Sequence, residues 1–193
     1  MSLHMSCQMQ LPVWLAKFID GWNDPLETIE QRMHLAVTLA AENVEHHTGG
    51  PFGAIVVEDE TNRLLSVGVN LVTSAELSLA HAEMVAVSLA QSAIGSWNLG
   101  STGGAQLVTS CEPCAMCFGA VPWSGVTSII WGAGKGDAEE AGFDEGDKPA
   151  DWVESLERRG IRTRGGVLHE EARSVLMHYA QRDGAVIYHP EKH

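Results

Sequence analysis

Apolar residues recur along this chain in two rhythms, and the switches between them mark out its elements. From Leu26 through Ile29, Met33, Val37, Ala40 and Val44 they return every three or four residues, the period of a helix with one face in a core. Asp24 predicts the N-cap of that helix, Pro25 its first position and Glu27 the return arm of a capping box, while Gly49-Gly50 predicts its end. The rhythm then shortens. Residues 54–58 and 64–70 read as strands joined by a polar turn, a hairpin. After a loop, residues 80–94 are rich in helix formers and stop at Gly95. Residues 105–109 read as a strand, Pro113 opens a helix, and residues 126–131 are another apolar strand. Residues 132–148, rich in glycine and acid, read as a long loop. A helix over 152–159, a fifth strand over 162–168 and a last helix over 170–182 complete the series. Behind the first helix the order β-β-α-β-α-β-α-β-α predicts one α/β domain, residues 24–193, with a central sheet sandwiched between helices. Residues 1–23 are an N-terminal extension, with Trp14, Phe18 and Trp22 marking a short helix packed on the domain.

Composition narrows this picture. The chain has 193 residues, 45% of them hydrophobic, which suffices for a sizeable core and excludes a disordered chain. No run of 18 or more apolar residues and no basic stretch leading into an apolar one occurs, so neither a membrane span nor a secretory signal is expected. The net charge of −13 repels polyanions and favours a small, uncharged or weakly charged substrate. Arg158, Arg159, Arg162 and Arg164 cluster in sequence and read as a solvated helix end and turn, with a local basic patch as the alternative. Of the four cysteines, Cys111, Cys114 and Cys117 lie within seven residues, too close for a disulfide framework; that usage predicts a reducing cytoplasm and metal binding.

The chemistry sits in two short motifs. His81-Ala82-Glu83 supplies an imidazole and a carboxylate, and Pro113-Cys114-Ala115-Met116-Cys117 supplies two thiolates three residues apart, on one face of a helix start. The positive end of a helix favours thiolate there. One His and two Cys make three zinc ligands and leave the fourth position open to water, whose pKa the metal lowers to ~7. Glu83 is then the proton carrier, and the order H-x-E…P-C-x-x-C matches zinc-dependent hydrolytic deamination. The competing reading is a closed structural site in which Cys111 joins Cys114, Cys117 and His81; the same three cysteines weakly match an iron–sulfur run.

At these residues the chain resembles the cytidine-deaminase-like superfamily and, within it, the bacterial guanine deaminases. The resemblance runs from about residue 36 to about residue 148. It rests on Gly49-Gly50-Pro51-Phe52-Gly53-Ala54, on Ala80-His81-Ala82-Glu83, on residues 109–117 with the cysteines, and on Asp137-Ala138-Glu139-Glu140-Ala141-Gly142-Phe143-Asp144-Glu145. It implies a three-layer α/β/α sandwich with a five-stranded mixed sheet, one zinc ion per subunit and conversion of guanine to xanthine and ammonia, a step of purine catabolism. It implies ligands His81, Cys114 and Cys117, and catalytic carboxylates Glu83 and Glu145. Glu145 stands where the family carries an aspartate, so a wider range of bases, ammeline-type triazines included, is an alternative. The resemblance maps Asn70 and Phe52 onto base-binding positions and adds Ala82 and Trp123 to the substrate-contacting set, Trp123 serving equally as an interface residue. It also implies a homodimer whose C-terminal segment covers the site; here the apolar stretch Ala185-Val186-Ile187-Tyr188-His189-Pro190 is expected to close the pocket against water. Deamination of cytosine or a nucleoside, editing of tRNA or single-stranded DNA, and a zinc-stabilised interaction module are the remaining alternatives, and the charge weighs against the nucleic-acid reading.

Overall fold

A computed structural model describes residues 7–20 and 22–188. Its elements are α1 (Val13–Ile19), α2 (Ile29–Glu45), β1 (Gly53–Glu58), β2 (Leu64–Val69), α3 (Val72–Ala75), α4 (Ala82–Ile94), β3 (Ala105–Cys111), α5 (Ala115–Ser124), β4 (Ser128–Ala133), α6 (Lys135–Glu140), α7 (Trp152–Glu157), β5 (Arg162–Arg164) and α8 (His169–Ala180). The five strands form one mixed sheet in the order β2-β1-β3-β4-β5. The pairs β1/β2 and β1/β3 are antiparallel, and β3/β4 and β4/β5 are parallel.

Strand residues alternate between two cores, one on each face. Ile55, Val57, Val108 and Ile130 point into the core built with α2 and α8, whereas Ala54, Val56, Leu107 and Ile129 point into the core built with α4 and α5. This period-two division places helices on both faces, the expected α/β/α sandwich. α1 packs on the α2 side: Leu15 is fully buried there and the Trp14 indole donates to Thr48 Oγ1 at 3.0 Å.

Four local expectations are corrected. α2 is capped by Thr28, whose hydroxyl accepts from the Gln31 N–H while the Gln31 side chain accepts from the Thr28 N–H, and not by Asp24 with Glu27. Tertiary bonds hold the preceding segment extended: Leu26 N–H donates to the Asn62 carbonyl, and Arg32 Nε donates to the Leu26 carbonyl. α2 also stops at Glu45, ahead of the glycines, with His47 in the left-handed region. β5 ends at Arg164, because Gly165 lies against the Trp131 ring and Gly166 turns the chain at φ +74°. Finally, the expected long loop contains α6. Asp137 accepts from the Gly134 N–H and is paired with His169 and Arg173 of α8, contacts that composition does not reveal.

Candidate active site

Two helices begin at the same place, beside the ends of the parallel strands, where open α/β sheets bind ligands. His81 is the N-cap of α4 and Glu83 its second residue; Cys114 is the N-cap of α5 and Cys117 its third residue. α4 can reach this position because β2 carries glycine at 68: a Cβ there would stand 2.2 Å from the Ala82 carbonyl oxygen. Pro113 lies just before the α5 cap, as its missing N–H allows.

His81 Nδ1 is 3.4 Å from Cys114 Sγ and 3.6 Å from Cys117 Sγ, and the three donor atoms lie within 4.8 Å of one another. A tetrahedral zinc with bonds of ~2.0 Å to nitrogen and ~2.3 Å to sulfur holds its ligands roughly 3.5–3.8 Å apart, so the three fit one ion and leave a fourth position open. Cys111 is not part of this group. It ends β3 facing the opposite core, and its sulfur lies 3.8 Å from the Gly134 carbonyl. The four-ligand closed site is thus not assembled.

Burial and nearby charge set the titration of the site. Burial, then the Cys114 thiolate, push Glu83 up to about 7. Burial followed by Cys114 and Glu83 push Glu145 up to about 8. The Cys114 thiol is held down to about 4 by the hydrogen bond from Cys117, against its burial and with help from His81.

The remaining walls come from loops. Phe52 meets Phe143 edge-on at 4.8 Å, and Asn70, Glu112, Asp144, Glu145 and Tyr188 close the pocket around His81, Glu83 and Cys114. The Glu145 carbonyl accepts from the Ala115 N–H at 2.9 Å, which ties the segment after α6 to the cysteine turn. Asn70 is fixed through its backbone: its N–H donates to the Phe52 carbonyl at 3.0 Å, and its carbonyl accepts from buried Asn43 Nδ2 at 2.9 Å. Gly49 leaves room for that carbonyl, since a Cβ there would overlap it at 1.8 Å. The Asn70 amide donates to the Tyr188 hydroxyl at 2.5 Å.

Tyr188 divides the space. Inside it about 20 Å³ is free, room for about one water. Outside it a cavity of about 570 Å³ opens between Val72, Met116 and Gly146. The described tail residues therefore reach the pocket; His189 and Pro190 of the expected closing segment lie outside the described residues.

Two of the expected substrate-contacting residues turn their side chains away from the pocket. Trp123 is 79% exposed near the far end of α5, nine residues beyond the Cys114 cap, and the methyl of Ala82, the first residue of α4, packs into the core against the sheet. Neither side chain lines the pocket. Conversely, Asn43, Asp144 and Lys148 were not singled out from sequence. Asn43 inside α2 and Lys148 in a loop carry no local signal of role; the acid-rich stretch around Phe143 was the available hint for Asp144.

Residues 26–133 match the family described as the cytidine and deoxycytidylate deaminase zinc-binding region. Over 122 residues the chain is 42% identical to the guanine deaminase of Bacillus subtilis (strain 168), covering 60% of this chain and 75% of that protein. The structure of a guanine deaminase from Nitrosomonas europaea superposes with a TM-score of 0.87 at 38% identity, covering 93% of this chain and 98% of that one. A mutant protein in complex with 8-azaguanine superposes with a TM-score of 0.86 at 39% identity, covering 91% and 98%.

Proposed function

We propose, from the premise that this chain belongs to the cytidine and deoxycytidylate deaminase zinc-binding family, that it hydrolyses guanine to xanthine and ammonia. The observation that carries the proposal is one pocket in which an open three-ligand zinc site adjoins two buried carboxylates, Glu83 and Glu145. The likeness to the Nitrosomonas guanine deaminase extends over 93% of the chain.

His81, Cys114 and Cys117 hold the zinc, which supplies the Lewis acidity that makes water nucleophilic at neutral pH. Glu83, raised toward neutrality, accepts one proton of the attacking water and passes it to the ring nitrogen, then carries the second, from the hydroxyl of the tetrahedral carbon, to the amine, which leaves as ammonia as the carbonyl forms. Glu145 faces the same space and orients the base or carries the proton to its exocyclic amine. Phe52 and Phe143 form an edge-to-face pair against which a planar heterocycle rests, and the Asn70 amide offers a donor and an acceptor to a carbonyl beside a ring N–H. For the base to meet that amide, the Tyr188 hydroxyl gives up its bond to it. The tail then returns over the occupied pocket and keeps bulk water out.

The partner is a small nucleobase, since a net charge of −13 opposes binding of a polyanion. Cytoplasmic purine breakdown is the setting such a substrate and three unpaired, closely spaced thiols suit. The assembly is a homodimer through α5, which has no charged side chain and leaves Met116, Phe118, Ala120 and Trp123 partly or largely exposed. Trp123→Glu is expected to shift sedimentation toward monomer; an unchanged species would remove α5 from the interface.

The test is ammonia release by zinc-loaded protein offered guanine, ammeline, cytosine, cytidine and adenine side by side, with Glu83→Ala as the blank. Guanine is expected to react fastest. Faster turnover of ammeline would assign the longer Glu145 side chain to a triazine, and no turnover of any compound by zinc-loaded, folded protein would overturn the proposal.

A further inference from the structure

Three residues beyond Glu145 the chain buries a lysine. The Lys148 side chain is 3% exposed. Its ammonium pairs with the Glu112 carboxylate, donates to the Pro113 carbonyl at 2.7 Å and lies 4.5 Å over the Trp152 ring. A buried ammonium persists only where its charge and donors are met, and here a carboxylate, a carbonyl and an aromatic face meet them. Each polar partner belongs to the cysteine turn, because Glu112 and Pro113 immediately precede the zinc ligand Cys114.

The pocket wall contains Glu83, Glu112, Asp144 and Glu145 and, among the described residues, no lysine or arginine. Lys148 is the cation behind that wall. It ties the segment carrying Glu145 to the turn carrying Cys114, in parallel with the backbone bond from Ala115 N–H to the Glu145 carbonyl. A second, weaker tie comes from the more exposed Lys135, whose ammonium donates to the Gly146 carbonyl at 3.2 Å while its N–H donates to Glu112 at 3.3 Å.

We infer that Lys148, acting through Glu112 and the Pro113 carbonyl, is the positioning residue that sets Glu145 against the metal turn. The inference rests on the role proposed for Glu145 in guanine deamination. It extends that role by assigning the placement of the carboxylate to a lysine that lies behind the pocket wall and pairs with Glu112 of that wall.

The experiment uses zinc-loaded full-length protein. Lys148→Met is expected to lower kcat/KM for guanine about 10–100-fold at unchanged zinc content, the range seen when a supporting residue behind a metal-site group is lost. Lys148→Arg should restore part of that loss, and Glu112→Gln should reproduce it if the lysine variant folds poorly. Placed in a Glu145→Gln background, Lys148→Met should cost nothing further, since the group it positions is already disabled. The amide of Ala115, which reports the tie between the two segments, should exchange faster in Lys148→Met than in wild type, a readout that needs no turnover. Equal losses with and without Glu145, or unchanged kcat/KM with unchanged Ala115 exchange, would overturn the inference. Wild type that fails to release ammonia from guanine would instead overturn the functional reading, and Ala115 exchange would still decide whether Lys148 holds the loop.

Discussion

The metal corner and the base corner of this pocket are built differently. His81, Glu83, Cys114 and Cys117 stand at the starts of α4 and α5, with α4 packed on the sheet and α5 on α4. Asn70, Phe143, Glu145 and Tyr188 stand on connecting segments and on the tail, held by scattered hydrogen bonds, a lysine ion pair and ring contacts rather than by a helix. Secondary structure fixes the atoms that perform bond breaking, where small displacements are costly. Loops fix the atoms that select the base, where a change of residue is tolerated and a lid has to open.

The sharpest way to break this comparison is to remove a ligand. Cys117→Ala is expected to lose zinc and bring turnover to the blank level, while Cys111→Ala keeps both. Metal analysis beside the ammonia assay checks the pair, and loss of zinc from the folded Cys111 variant would restore the closed site. Glu83→Gln comes next: it should retain zinc and lower kcat by about 10²–10⁴, the usual weight of a general acid–base group.

Changes in the base corner are expected to cost less. A chain ending at Gly184 should keep its zinc and lose roughly tenfold or more in turnover, because the Tyr188 lid is gone. Undiminished turnover would show that the tail plays no part in closure.

The smallest effect separates the corners by pH. Glu83 and Glu145 have folded-state values of about 7 and about 8, above the ordinary carboxylate value of 4.5. Raised values mean that the fold favours the protonated acids: their stabilising contribution is complete below about 4.5 and is lost as pH rises through about 7 and 8. Metal-free protein should therefore melt at progressively lower temperature across that window. Zinc, whose charge favours the carboxylates, should flatten the dependence. Scanning calorimetry at several pH values, with chelator and with zinc, checks both.

The contrast also explains which parts were legible in the chain. The metal corner follows from i,i+3 and i,i+2 spacings at helix starts, a local property that sequence carries directly. The hairpin and the strands of both cores follow from apolar period and turn residues. What escaped depends on distant partners. Asn43 earns its place by reaching the Gly50 and Asn70 carbonyls, Lys148 by folding back on Glu112, and α6 by its ion pairs with α8. Trp123, expected either near the base or at an interface, is carried by α5 away from the pocket to the surface.

The central claim, an open metal corner facing a base pocket, is tested most directly by zinc K-edge X-ray absorption on the zinc-loaded protein. The expected first shell is two sulfurs at ~2.3 Å and two nitrogen or oxygen atoms at ~2.0 Å, one of the latter from outside the protein. A shell of three sulfurs and one nitrogen would place Cys111 on the metal, close the fourth position and contradict the account.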